Sequence, residues 1–586
     1  MSKSIKPIIF FLLTLLLVAC AGNDAEVVEV QVTRIVTETE IVEVEGEAVE
    51  VEVTRIVTVA ETEILESPRD SDDESASAND ASTGAAAGGD ATDLNNTDAL
   101  PPTAPDGGAI AANPNTATEE ESLYQPLKPT AAAPVDMQFQ DAGVNPFVTT
   151  KEDPLSTFAI DVDTGAYTIM RRYLTDSLLP PASAVRLEEF VNYFDYNYPL
   201  PTEDDTFAIH IDGAPSPYTQ GDNYRFVRVG IQGYDVAEID RPDAFLIFVI
   251  DVSGSMDRDN RLGLVKESLR TLVNNLRPTD QIGIVTYGST ARVLLEPTMA
   301  VADRTILGAI DSLQTEGSTN AEDGLRLAYD LAARFAQPGN INRLILCSDG
   351  VANVGATTAD TILENAKNGI PLSTFGFGID SYNDVLMEQL ADQGDGTYAY
   401  IDTLDEAERV FNRDLTSTIF TIAQDVKIQV EFNEAVIQQY RLLGYENRDV
   451  ADSDFRNDAV DAGEIGAGHS VTAIYEVQLV PDAPSAVAAL TVRVRYADPN
   501  GAEINEVAVA AATRNFATTF EETTPEYQLS IAVAQFAELM RGSFWARNND
   551  LDTLATDARR IARLLPQDQE AQEFAALVAQ AAALLR

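Results

Sequence analysis

Between residues 243 and 411 strand-like and helical patterns alternate, and this alternation limits the fold more than anything else in the chain. Apolar strand-like runs occupy 245–250, 282–287, 293–295, 344–347 and 372–377. Helical spacing predicts helices over 261–276, 321–335 and 359–368, the first with Leu264, Val265, Leu269 and Leu272 on one side. Strands that alternate with helices build a mostly parallel sheet covered on both faces, so the expected class is α/β and doubly wound.

Two of these strands run straight into aspartates. Asp251 opens Asp251-x-Ser253-x-Ser255 after Phe245–Ile250, and Asp349 sits in Ser348-Asp349-Gly350 after Leu344–Cys347. A third element, Gly317-Ser318-Thr319-Asn320, adds a threonine, giving five side-chain oxygens on three loops. A hard cation such as Mg²⁺ prefers octahedral oxygen coordination and rarely accepts thiolate or imidazole instead. Two carboxylates balance a divalent charge, while the hydroxyls of Ser253, Ser255 and Thr319 add donors without quenching the ion's pull on another anion. The remaining position would attract an outside carboxylate. In parallel α/β sheets ligands bind beyond the carboxyl ends of the strands, which puts Asp251 and Asp349 on one shared rim. Alone, Asp-x-Ser-x-Ser reads better as a helix cap or Asx-turn than as a metal loop. The preceding strand, the following helix and the matching contexts of Thr319 and Asp349 favour the metal.

This constellation resembles the von Willebrand factor type A domain and its metal-ion-dependent adhesion site. The resemblance implies that Asp251, Ser253, Ser255, Thr319 and Asp349 hold a divalent cation, Mg²⁺ first with Mn²⁺ or Ca²⁺ as alternatives. A Glu or Asp of a protein partner would complete the coordination. Gly317-Ser318-Thr319 stands where the family often has Gly-Gly-Thr, which leaves the threonine intact. In some relatives the final helix shifts on ligand binding, and 404–413 is its counterpart here.

The N-terminal residues carry a different signal. Residues 1–19 have Lys3 and Lys6 ahead of an apolar stretch, the layout of a secretory signal peptide. Leu17-Val18-Ala19-Cys20 resembles the bacterial lipobox, which implies a lipidated Cys20 and an extracytoplasmic chain anchored to the membrane by acyl chains without spanning it. Residues 20–65 form a Val/Thr/Glu stalk in which Val32-Thr-Arg-Ile-Val-Thr37 recurs as Val53-Thr-Arg-Ile-Val-Thr58, a β-favouring hairpin or self-associating segment. Residues 66–144 are rich in Ala, Asp, Gly, Ser, Thr and Pro and are expected to be a disordered linker. A linker of this composition spans on the order of 50 Å. Cys347 reads as a small buried hydrophobe. A formal net charge of −55 argues against nucleic acid and anionic lipid headgroups as partners and concentrates divalent cations near the surface.

Order is expected to return at 145–240, where Phe158-Ala-Ile-Asp161-Val-Asp163-Thr-Gly-Ala-Tyr167, Arg171-Arg172-Tyr173 and Leu179-Pro180-Pro181 follow in order, and the segment resembles the one that accompanies type A domains in bacterial surface lipoproteins. Leu187, Phe190, Val191 and Phe194 fall at helical spacing. Asp161 and Asp163 could suggest a second cation site, but a strand end before a helix explains them equally well. Arg171, Arg172, Glu188 and Glu189 read as a solvated or ion-paired face. The type A domain is placed at 241–415. Residues 416–586 are expected to hold a β region, resembling a C-terminal domain of unknown function in the same lipoproteins, and helices over 526–540 and 550–585. Strands on either side of the type A domain predict one composite β-sandwich into which that domain is inserted.

The function that follows is adhesion: a lipid-anchored envelope protein binding an acidic group of a protein partner through its metal. An envelope scaffold is the alternative. A metal-dependent hydrolase is disfavoured, because His210 and His469 lie outside metal-ligand spacing and no Ser-His-Asp order, phosphate loop or zinc signature occurs.

Overall fold

A computed structural model describes residues 27–44, 47–64, 137–202, 205–221, 223–350, 358–364, 369–378, 382–499 and 503–586. The expected signal peptide, Cys20 and most of the expected linker lie outside these residues. The chain forms two units, divided after Pro101.

In the first unit, β1 (Val27–Val44) pairs with β2 (Glu47–Ile64) as an antiparallel hairpin. The internal repeat explains the pairing. Ile35 lies opposite Ile56, Thr33 opposite Thr58 and Thr37 opposite Thr54, so the two copies face each other about their shared centre.

The second unit already pairs at Gln138, which bridges to Asn383, while Met137 and Phe139 pack on the core. The linker expected to reach 144 therefore ends earlier. Two apolar side chains in a polar stretch are too few to change its composition. Short strands β3 (Val148–Thr149) and β4 (Leu155–Ala159), helices α1 (Gly165–Thr175) and α2 (Leu187–Asn192), and strands β5 (Phe207–Pro215) and β6 (Tyr224–Gly233) lead to the type A domain.

That domain comprises β7 (Ala244–Asp251), α3 (Arg261–Asn275), β8 (Gln281–Tyr287), β9 (Ala291–Met299), α4 (Asp303–Asp311), α5 (Ala321–Phe335), β10 (Ile341–Ser348), α6 (Ala359–Glu364), β11 (Leu372–Gly376), α7 (Asp384–Asp392), β12 (Tyr398–Tyr400), α8 (Leu404–Glu408) and α9 (Leu415–Ile419). The sheet order is β12-β11-β10-β7-β8-β9, parallel except for β9. Alternate residues of β7 serve two cores. Leu246, Phe248 and Ile250 pack with residues of α3 and α4, and Phe245, Ile247 and Val249 pack with residues of α5, α6 and α7. Burial on both faces is why the run is apolar at every position.

After the domain come β13 (Thr421–Phe432), β14 (Ile437–Leu443), β15 (Ile465–Gly466), β16 (Ser470–Leu479), β17 (Ala488–Ala497) and β18 (Ile504–Ala512). One sheet runs β3-β14-β16-β6-β5 and the other β15-β13-β17-β18, with β4 pairing β13. Both therefore mix strands from before and after the type A domain, and their inner faces share one core. The composite sandwich expected from 207–232 and 426–516 is observed, and it also takes in β3 and β4, which precede those segments and lie outside that expectation.

Three helices, α10 (Pro525–Met540), α11 (Leu551–Leu564) and α12 (Gln569–Leu584), pack with α1 and α2 in a separate core. The single helix expected over 550–585 is two. Pro566 cannot donate its backbone N–H and disfavours helix in the residue before it, and Asp568 restarts the next helix by accepting the Ala571 N–H at 2.9 Å.

Candidate metal centre

Strands β7 and β10 are hydrogen-bonded neighbours, with Ile250 opposite Cys347, so the turns that follow them leave the sheet side by side. Asp251 is fully buried. Its Oδ1 accepts the Ser253 N–H at 2.8 Å and its Oδ2 accepts the Ser348 hydroxyl at 2.9 Å. The same Ser348 oxygen accepts the Gly350 N–H at 3.0 Å, which ties the turn bearing Asp349 to Asp251. The hydroxyls of Ser253 and Ser255 lie 3.0 Å apart.

The Thr319 loop reaches this cluster through its backbone. The Glu316 N–H donates to the Val252 carbonyl at 2.5 Å, and the Gly254 N–H donates to the Gly317 carbonyl at 3.2 Å. Gly317 has a φ of +74°, and a Cβ there would lie 2.1 Å from Ser289 Oγ, so only glycine lets the loop lie this close. Thr319 is buried on this loop, and Asn320 caps α5 by accepting the Asp323 N–H at 3.2 Å. Asp251, Ser253, Ser255 and Asp349 thus share one hydrogen-bonded rim, with Thr319 on the adjoining loop.

Two residues of this neighbourhood were not picked out from the sequence. Ser348 could have been, because it precedes Asp349 at the strand end. Arg261 could not. It opens α3, and its Nη1 donates to Asp349 Oδ2 at 2.8 Å with both side chains buried.

Burial, followed by the nearby Asp349 carboxylate, pushes the Asp251 carboxyl up to about 7. Paired buried carboxylates carry a charge that water cannot screen, and a divalent cation would relieve it. With neutral hydroxyls beside them, the oxygen donors fit a hard divalent ion.

The residues expected to be structural are so. The Asp161 Oδ1 accepts the Asp163 N–H at 2.9 Å, Asp163 accepts the Tyr398 N–H at 2.7 Å, and Arg448 pairs with both carboxylates. Arg171 is buried, gripping Asp402 and Glu406, while Glu189 takes the Ala166 N–H and pairs with Arg186. Of the solvated and ion-paired alternatives, only Arg172, paired with Asp176 at 3.0 Å, stays at the surface.

The final helix expected at 404–413 is helical throughout but changes its winding within that span. It begins as α8, widens into a π-turn over Arg409–Arg413 and resumes as α9. Glu406 anchors the segment, accepting from Arg171 at 2.8 Å, the Tyr193 hydroxyl at 3.0 Å and Arg409 at 2.6 Å. Arg171 lies on α1 and Tyr193 just beyond α2, so an isolated type A domain would keep Arg409 but lack these two.

His210 Nε2 lies 2.9 Å from the Pro199 carbonyl, and its ring stacks on Tyr198. His469 has a buried Nδ1 without a hydrogen-bond partner. Burial first, then Arg409 and Arg343, lower its pKa to about 4. Because the folded state resists protonation, this contribution to stability is complete above about pH 6.5 and is lost as pH falls towards 4. The expected loss is about 2 to 3 kcal/mol over that window. Urea unfolding at pH 7 and pH 4.5 should show His469→Asn losing correspondingly less stability than the native chain; equal losses would refute the assignment.

Family models match at 133–227 (von Willebrand factor), 246–351 (von Willebrand factor type A domain) and 417–584 (Uncharacterized protein YfbK, C-terminal). The fold and the rim define a von Willebrand factor type A protein, a class with interaction or adhesion functions. The chain is 36% identical over 475 residues to the uncharacterized protein YfbK of Escherichia coli (strain K12), covering 76% of this chain and 81% of that protein. It belongs to the same family. Similarity to inter-alpha-trypsin inhibitor heavy chain H2 of Mus musculus is 27% over 184 residues, covering 29% of this chain and 19% of that protein. A solved von Willebrand factor type A structure from Catenulispora acidiphila is 18% identical, covering 64% of this chain and 88% of that one, with a TM-score of 0.38.

Proposed function

We propose that the chain is a binding module that grips an acidic side chain of a protein partner through a divalent cation, Mg²⁺ first, held by Asp251, Ser253, Ser255, Thr319 and Asp349. The observation that carries this reading is the pair of buried aspartates at the ends of neighbouring parallel strands, linked through Ser348 and flanked by hydroxyls. The ion would act as a Lewis-acidic bridge, and the protein would supply rigid ligands. The reading is of a binder and not of an enzyme. Capture of envelope proteins on the immobilised chain tests it, with Mg²⁺ in one arm and EDTA in the other. A partner released by EDTA and recovered with Mg²⁺ supports adhesion. Capture that ignores EDTA points instead to a scaffold, and turnover of a substrate to an enzyme.

The proposed location is the bacterial envelope, with Cys20 acylated. Among the described residues no helix is long and apolar enough to cross a membrane; in this reading the acyl chains on Cys20 provide the attachment. Each buried methylene contributes about 0.8 kcal/mol, and more than one chain makes attachment effectively stable. Mass spectrometry of the mature N-terminus is expected to find an acylated Cys20, and Cys20→Ser is expected to move the protein from the membrane to the soluble fraction. An unmodified N-terminus upstream of Cys20 would refute the anchor.

A further inference from the structure

The metal-centre reading accounts for five oxygen donors but not for the guanidinium set against one of them. Arg261 is fully buried, and its Nη1 lies 2.8 Å from Asp349 Oδ2. Its position is built by three elements. Asn260, at a φ of +57°, turns the loop after Ser253 back so that α3 starts at Arg261. The turn after β10 supplies Asp349. Gly378, beyond β11 at a φ of +91°, leaves room for the side chain, since a Cβ there would lie 2.0 Å from Arg261 Nε. An arginine cannot shed its proton in a protein, so this slot holds a permanent positive charge.

Charge balance then gives the residue a task. Asp251 and Asp349 alone contribute two negative charges, so a divalent cation would leave these groups neutral in sum, and the pull on a further anion would come only from the open coordination position. With Arg261 included, the pocket carries one negative charge, and a bound divalent cation turns it net positive. We propose that Arg261 is a positioning residue and built-in counter-charge that weakens the grip on the metal so that the loaded site demands a carboxylate from outside. This rests on the metal-centre reading above and deepens it: the site is tuned for its acidic partner at the expense of the ion. A merely structural arginine would make the opposite prediction, because its removal would loosen Asp349 and weaken metal binding.

The test is titration of the full chain with Mn²⁺, followed by calorimetry and by electron paramagnetic resonance of the free ion. Glutarate is then titrated into the loaded protein as a carboxylate probe. Arg261→Gln, which keeps an N–H donor but removes the charge, is expected to bind Mn²⁺ about 10-fold more tightly and glutarate more weakly. Arg261→Lys, which keeps the charge, should stay within about 3-fold of the native chain for Mn²⁺. Weaker or unchanged Mn²⁺ binding by Arg261→Gln overturns the proposal. If that variant does not fold, a large loss of Mn²⁺ affinity in a folded Arg261→Lys overturns it equally, since charge alone would then not suffice. A folded native chain that takes up no Mn²⁺ refutes the metal-centre reading itself.

Discussion

Replacing Asp251 with alanine is expected to abolish metal uptake while leaving a folded protein. Asp251 is the residue through which the rim is connected, accepting from Ser253 on one oxygen and from Ser348 on the other. Loss of an outer-shell partner typically lowers metal affinity 10- to 100-fold, so loss of a carboxylate ligand should exceed about 100-fold. The readout is thermal or urea unfolding with and without Mg²⁺. At free ion about 100-fold above its dissociation constant, the native chain should gain about 2.7 kcal/mol, and Asp251→Ala should gain less than about 0.4 kcal/mol. Equal gains in both would show that the ion binds elsewhere. Partner capture that survives the substitution would separate adhesion from the metal.

The largest expected loss of stability lies away from that rim. Glu538 on α10 is buried and accepts from Arg441 of β14 at 3.1 Å, from Arg541 at 3.1 Å and from Ser543 at 2.8 Å. Burial alone would raise its carboxyl, but Arg441 and Arg541 outweigh burial and bring it down to about 2. Glu538→Gln leaves both arginines in place without their shared counter-charge, and breaking a buried pair from one side costs about 3 to 5 kcal/mol. Urea unfolding at pH 7 measures it; a cost below about 1 kcal/mol would mean that Glu446 and Glu476, which also pair with these arginines, suffice. The carboxyl is held below its ordinary value, so its contribution is present above about pH 4.5 and fades as pH falls towards 2. Native and variant chains should therefore converge in acid.

The type A domain was legible in the sequence because each of its signals is local. The strand Phe245–Ile250 is apolar throughout because both faces are covered, and Asp251-x-Ser-x-Ser marks where such a strand ends. The helix read over 321–335 is α5 with the same limits. The composite sandwich could also be anticipated, from strand segments on either side of the domain that lacked a complete sheet. The break at Pro566 was legible too, but the long Ala/Leu pattern around it obscured the proline. The π-turn at Arg409–Arg413 was not; the segment is held at Glu406 by Arg171 and Tyr193, which are remote in sequence.

Apart from α4, α7 and β14, then, the chain's order of residues by itself determined the main strands and helices around the rim, the oxygen donors at the strand ends and the family. Periodicity and short motifs act through neighbouring residues, and these features need nothing more. Only the tertiary structure decided which charges meet: Arg261 with Asp349, Arg171 with Glu406, and Arg441 with Glu538. A buried ion pair is specified by packing that brings together side chains far apart along the chain, and an isolated arginine in a sequence carries no mark of the carboxylate it will face.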